Sequence, residues 1–73
     1  MAHTLQVTKT FMIKDREGNF VRIPKNYILK GVARCYADDL IEYCDLHCDA
    51  DDKLIAEETI INKLPCEYAK FTD

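Results

Sequence analysis

The sequence predicts a small domain built on a β-hairpin, either mainly β with one short helix (α+β) or the hairpin followed by two helices. Three observations lead there: apolar and polar residues alternate across residues 5–13, a glycine-bearing polar turn follows at residues 15–19, and an extended run then ends at a proline. At 73 residues with 48% hydrophobic content, the chain has room for one folded domain with a thin core.

Leu5, Val7, Phe11 and Ile13 share one parity, and Gln6, Thr8, Thr10 and Met12 the other, which is the period of a strand with one buried face. Lys9 interrupts the apolar row, marking either an edge position that discourages aggregation or a functional contact. Asp15-Arg16-Glu17-Gly18-Asn19 supplies turn chemistry: Gly18 and Asn19 accept positive φ, and Asp15 can cap its own turn. Phe20-Val21-Arg22-Ile23 resumes the extended chain until Pro24 stops it, so a β-hairpin is expected over about residues 4–23. Lys25–Lys30 then fits a short helix with Pro24 ahead of it and Gly31 to end it.

Residues 32–48 admit two readings. As a helix, Ala33, Ala37, Leu40, Cys44 and Cys48 line one face; as a strand from Asp39, Leu40, Cys44, Leu46 and Cys48 share one parity. In the strand reading, Asp49–Asp52 turns the chain and Lys53–Ala56 returns as the partner strand of a second hairpin. In the helix reading, the fold is a β-hairpin followed by two helices. Ile61, Leu64, Tyr68 and Phe71 have helix-compatible spacing in the tail, interrupted by Pro65.

The net charge of −3 conceals a division. Residues 1–34 carry seven basic side chains against two acidic ones, while residues 38–58 carry nine acids against Lys53 alone. Such asymmetry suggests a basic surface for nucleic acid and an acidic region facing elsewhere, unless both are merely solvated. No apolar run is long enough to cross a membrane as a helix. The start, Met1-Ala2-His3-Thr4-Leu5, lacks the features of a secretory signal, so a cytoplasmic location is expected and Cys35, Cys44, Cys48 and Cys66 read as thiols.

Cys44-x-x-His47-Cys48, with Cys35 or Cys66, contains the atoms for tetrahedral zinc but not the spacing of a zinc finger, so buried thiols and a surface histidine are preferred and no metal or other cofactor is expected. Only His3 and His47 are available as histidine bases, and a chain this short encloses little pocket, which argues against an enzyme.

The stretch from Asp15 to Pro24 resembles the signature of the AbrB/MazE (SpoVT-AbrB-like) superfamily, swapped-hairpin DNA-binding proteins among bacterial transition-state regulators and antitoxins. Gly18-Asn19 followed by Val21-Arg22-Ile23-Pro24 is similar to the antitoxin branch. Leu29-Lys30-Gly31-Val32 takes the place of the helix end, Asp38–Tyr43 that of the acidic turn into the third strand, and Asp51–Ile55 that of the last turn and fourth strand. The likeness covers about residues 5–57. It departs in the spacing from glycine to Ile-Pro, in the length after Pro24, and in Cys44, His47 and Cys48.

The resemblance tips residues 32–48 toward strand. It implies a homodimer whose two chains interleave hairpins into one β-barrel-like unit, each completing the other's core. It implies contacts to duplex DNA from Lys9, Lys14, Arg16, Asn19, Arg22 and Lys25. Residues 1–58 would then form the DNA-binding domain, and residues 59–73 a partner-binding segment that folds on a toxin through Ile61, Leu64, Tyr68 and Phe71, aided by the acidic stretch. The expected function is a DNA-binding transcriptional regulator or antitoxin. The alternative is a small acidic inhibitor of the type mobile elements and phages encode, whose 38–58 surface blocks the basic groove of a host nucleic-acid-handling enzyme.

Overall fold

The computed structural model describes residues 2–50 and 52–73 and is mainly β. Seven strands follow in order: β1 (Ala2–Val7), β2 (Phe11–Lys14), β3 (Phe20–Ile23), β4 (Ile28–Asp38), β5 (Ile41–Cys48), β6 (Ile60–Pro65) and β7 (Ala69–Phe71), with a 3₁₀ turn at Cys66–Tyr68. Five form an antiparallel sheet in the order β6-β5-β4-β1-β7, and β2 with β3 forms a separate ribbon. No helix among the described residues is long and apolar enough to cross a membrane.

The sheet is coiled, and chain connectivity requires it. β6 and β7 lie at opposite edges, four strand spacings apart, or about 19 Å if flat. The 3₁₀ turn that joins them spans at most about 14 Å from Pro65 to Ala69. The edges must therefore approach, and the 3₁₀ turn between them is held to the end of β1, where Thr8 N–H donates to Tyr68 C=O at 2.8 Å and Lys9 pairs with Glu67 at 3.1 Å. Inside the coil lie Leu5, Val7, Leu29, Cys44, Leu46, Cys48, Ile61, Leu64 and Ala69. The β2–β3 ribbon covers one part of this core with Ile23, fully buried, and with half-buried Phe11, Ile13 and Val21.

The first hairpin forms as its turn chemistry predicts. The Asp15 carboxylate accepts from Glu17 N–H at 3.0 Å and Asn19 N–H at 2.9 Å, and Gly18 sits at φ 87°. The ribbon spans only residues 11–23, because the chain bends at Thr8–Lys9 and splits the alternating run into β1 and β2. Lys9 therefore sits in a bend rather than on an apolar strand face.

The helix expected at Lys25–Lys30 does not form. Asn26 takes φ 74° in a turn closed by Tyr27 N–H donating to Pro24 C=O at 3.2 Å, and β4 starts two residues later. A single amphipathic turn is too short to nucleate a helix when strand pairing with β1 competes for its amides. Gly31 is needed in the strand, not at a helix end: a Cβ there would lie 2.1 Å from the His47 carbonyl oxygen of β5.

Residues 32–48 are strands, so the arrangement of a hairpin followed by two helices is not what forms. β4 and β5 turn at Asp39 (φ 49°) and Leu40 (φ 69°), a two-residue type I′ turn, and Leu40 is wholly exposed rather than core. Lys53–Ala56 is loop, not the return strand, because Asp52 takes its amides: the carboxylate accepts from Leu54 N–H at 2.9 Å, Ile55 N–H at 3.3 Å and the Tyr27 hydroxyl at 2.8 Å. Burial and this bond push the Tyr27 phenol above its ordinary range. Asp51, placed in that turn by the sequence, lies outside the described residues.

The return strand is β6, and the tail expected to be helical supplies both edges of the sheet. Thr59 joins loop to ribbon. Its buried hydroxyl donates to Ala56 C=O at 2.7 Å and accepts from Arg16 N–H at 2.9 Å.

Candidate nucleic-acid interface

The register of the ribbon pairs Phe11 with Ile23, Met12 with Arg22, Ile13 with Val21 and Lys14 with Phe20. Alternation then turns Phe11, Ile13, Val21 and Ile23 onto the core and leaves Met12, Lys14, Phe20 and Arg22 on one solvent face. Phe20 is 75% exposed, with the Lys14 ammonium 5.9 Å from its ring centre. Lys25 is exposed just past the base of β3, its backbone N–H held by the Thr10 hydroxyl at 3.1 Å. A groove of about 400 Å³ runs beside the ribbon tip, lined by Lys14, Arg16 and His47 together with Asp15 and Glu58.

The six basic and polar residues singled out in the sequence do not form one patch. Lys14, Arg22 and Lys25 enter no ion pair among the described residues. Arg16 is held by Glu58, and Lys9 turns toward the 3₁₀ turn, where it pairs with Glu67 and lies 5.8 Å from the Tyr68 ring centre. Asn19 closes the turn through its backbone. Phe20, which sequence reasoning passed over, is the most exposed large hydrophobic side chain of the ribbon. Its parity with Arg22, against Val21 and Ile23, is the signal that places both on the outer face.

The four proposed partner anchors are largely unavailable. Ile61 and Leu64 are buried in the sheet core, because β6 presents them inward opposite Leu46 and Cys44. Tyr68 packs edge-on against Phe11 with ring centres 5.9 Å apart. Phe71 alone is substantially exposed, beside His3. Residues 59–73 are thus part of the folded sheet rather than an appended segment.

Cys44 and Cys48 face the core while His47, between them on β5, faces the opposite side of the sheet, so these three do not converge on a common point. No group of three or more side chains among the described residues has the arrangement of a metal site. Burial pushes the Cys44 and Cys48 thiols up to about 12, so both are protonated at neutral pH. In comparisons with known proteins, no family model, no curated protein and no solved structure matches the chain.

Proposed function

We propose that this chain is a non-catalytic DNA-binding protein that sets the outer face of the β2–β3 ribbon into the major groove of a duplex. The observation that carries the reading is the company of Lys14, Phe20 and Arg22 on one solvent face of a two-stranded ribbon, with Lys25 at its base. A major groove about 12 Å wide admits such a ribbon. Arg22, opposite Met12 in the middle of the face, suits bidentate contact with guanine. Lys14 and Lys25 suit phosphates, and Phe20 suits a thymine methyl.

The proposal extends to a homodimeric regulator or antitoxin. Exchange of the ribbon between two chains would keep each ribbon–sheet contact while placing two ribbons on one surface, and the short segments 8–10 and 24–27 are where such a hinge would act. The reading as an acidic inhibitor has less behind it. The acids of the 38–42 turn and those of the 49–58 loop are separated by the length of β5, about 23 Å. Asp45, Asp52 and Glu58 already serve internal contacts, with Tyr36 and the Lys63 amide, with Tyr27 and the loop amides, and with Arg16.

Fluorescence anisotropy with mixed-sequence duplex and single-stranded DNA tests the proposal. Two phosphate-neutralising side chains, Lys14 and Lys25, predict a loss of about 12-fold in affinity between 50 and 200 mM salt. Arg22→Ala is expected to weaken binding by about 1–3 kcal/mol and to relax sequence preference. Absence of duplex binding at 50 mM salt, tighter binding to the single strand, or unchanged binding by the triple Lys14→Ala, Arg22→Ala, Lys25→Ala variant overturns it. Light scattering at twice the monomer mass supports the dimer, and a monomer while bound to DNA excludes it.

A further inference from the structure

The coiled sheet carries a cleft of about 450 Å³ that the ribbon does not line. Its walls are apolar, from Leu5, Leu64, Pro65 and Phe71, and three of the four cysteines, Cys35, Cys44 and Cys66, open onto it. Cys35 on β4 lies directly opposite Cys44 on β5. The two-residue turn makes Asp38–Ile41 a hydrogen-bonded pair, and the register runs unbroken from there. Pairs alternate, so Ala37–Glu42 is non-hydrogen-bonded, Tyr36–Tyr43 is bonded, and Cys35–Cys44 is again non-hydrogen-bonded.

Such pairs bring their Cα atoms to about 4.5 Å, inside the span that a disulfide accepts. Burial first, and then the neighbouring Cys35, push the Cys44 and Cys66 thiols up. Cys35 is exposed, Cys44 buried and Cys66 half-buried, so Cys35 is the sulfur that a reagent in solution meets first.

We propose that Cys35 and Cys44 are an oxidisable dithiol, a modification site for low-molecular-weight disulfides such as oxidised glutathione. The Cys35 thiolate attacks one sulfur of the reagent, its S–S bond breaks, and one thiolate departs. Cys35 is left in a mixed disulfide, with the cleft beside it to hold the added group. Cys44 then gives its proton to solvent and attacks the Cys35 sulfur, expelling the second thiolate. Two protein thiols are oxidised by two electrons and the reagent is reduced to two thiols. Cys66 stands beside the pair but off the ladder, and Cys48, also on β5, does not line the cleft.

The test is to incubate the whole folded protein with excess oxidised glutathione at pH 8, quench with acid, unfold it in denaturant, alkylate the remaining thiols and weigh the product. Digestion before aspartate places the four cysteines in four different peptides. The expected product has lost two hydrogens, carries alkyl groups on Cys48 and Cys66, and links the Cys35 and Cys44 peptides. Cys66→Ser forms the same bond at a rate within about twofold of the parent. Cys35→Ser, a change at an exposed position, forms no intrachain bond. A principal link through Cys66 or Cys48, a persistent mixed disulfide on the parent chain, or four thiols still open to alkylation overturns the proposal.

Discussion

β2 and β3 pair over four residues around a five-residue turn, whereas β4 and β5 pair over eight around a turn of two. The short ribbon depends on its loop: Gly18 takes positive φ, Asp15 binds two amides, and Thr59 fastens the tip to the rest of the chain. The long hairpin tolerates poor turn chemistry, since Leu40 follows Asp39 at φ 69°, where glycine is preferred. Ladder length and core contact outweigh that strain. Local signals thus specify the ribbon, and burial specifies the sheet. All four thiols lie on the sheet side of this division, and Lys14, Arg22 and Lys25, which enter no ion pair among the described residues, lie on or next to the ribbon.

Alkaline titration strikes the sheet hardest. Cys44 and Cys48, almost wholly buried, keep protons up to about pH 12 that the unfolded chain releases near pH 9. The folded state then binds more protons, so stability is fully present below pH 9 and falls as pH rises toward 12. Urea midpoints in reducing buffer should show a loss on the order of 4 kcal/mol by pH 11. Cys48→Ala should lower the slope above pH 9 from about two protons to about one. A flat profile from pH 7 to 11 would remove the thiols from the account. The ribbon contributes no buried thiol, so its own contacts are expected to persist until the sheet opens beneath it.

Gly31→Ala attacks the ladder itself. The added Cβ meets backbone rather than a flexible side chain, so β4 and β5 must separate. A loss of about 3 kcal/mol in chemical denaturation is expected, with a matching fall in Tm. A variant as stable as the parent would show that the two strands slide freely, contrary to a register fixed by one buried face.

Thr59→Val tests the fastening between the two regions. It deletes a hydroxyl that both donates and accepts in a buried site, leaving the Arg16 N–H and the Ala56 C=O without that partner. The expected cost is about 2 kcal/mol, with faster amide exchange at residues 15–19 than across β4 and β5. Equal acceleration everywhere would mean that the ribbon and sheet open as one unit.

The unequal legibility of the two regions has the same physical origin. Asp15, Gly18 and the parity of residues 20–23 act over a few residues, so the ribbon and its outward basic face were readable without knowledge of the rest. The helix expected at residues 25–30 failed because its amphipathic spacing is one turn long, and β1 offered a better partner. The tail misled for a related reason. Ile61, Leu64, Tyr68 and Phe71 have helical spacing, but the bulge between β5 and β6 at Lys63 (φ 53°) resets the parity that would mark a strand. Pairing of Cys35 with Cys44 follows only once Asp39-Leu40 is known to be the turn. The charge division survives in part: three cations remain available on or beside the ribbon, while Lys9 and Arg16 are spent on Glu67 and Glu58.

The smallest effects come from the turns and separate the two hairpins most directly. Gly18→Ala places a Cβ at φ 87°, with the Lys14 side chain 3.9 Å away and room around it, so the cost is backbone strain alone, about 1–2 kcal/mol. Leu40→Gly runs the other way. It removes strain at φ 69° and takes a fully exposed leucine off the surface, but adds chain entropy to the unfolded state. The two contributions nearly offset, leaving a gain of about 0.5 kcal/mol, readable as a rise in Tm of a few degrees. If the ribbon is held by its turn and the sheet by its ladder, Gly18→Ala must cost several times more than Leu40→Gly returns. Equal and opposite shifts would mean that both hairpins draw the same stability from their turns, and that the eight-residue ladder is not what makes the second one tolerant.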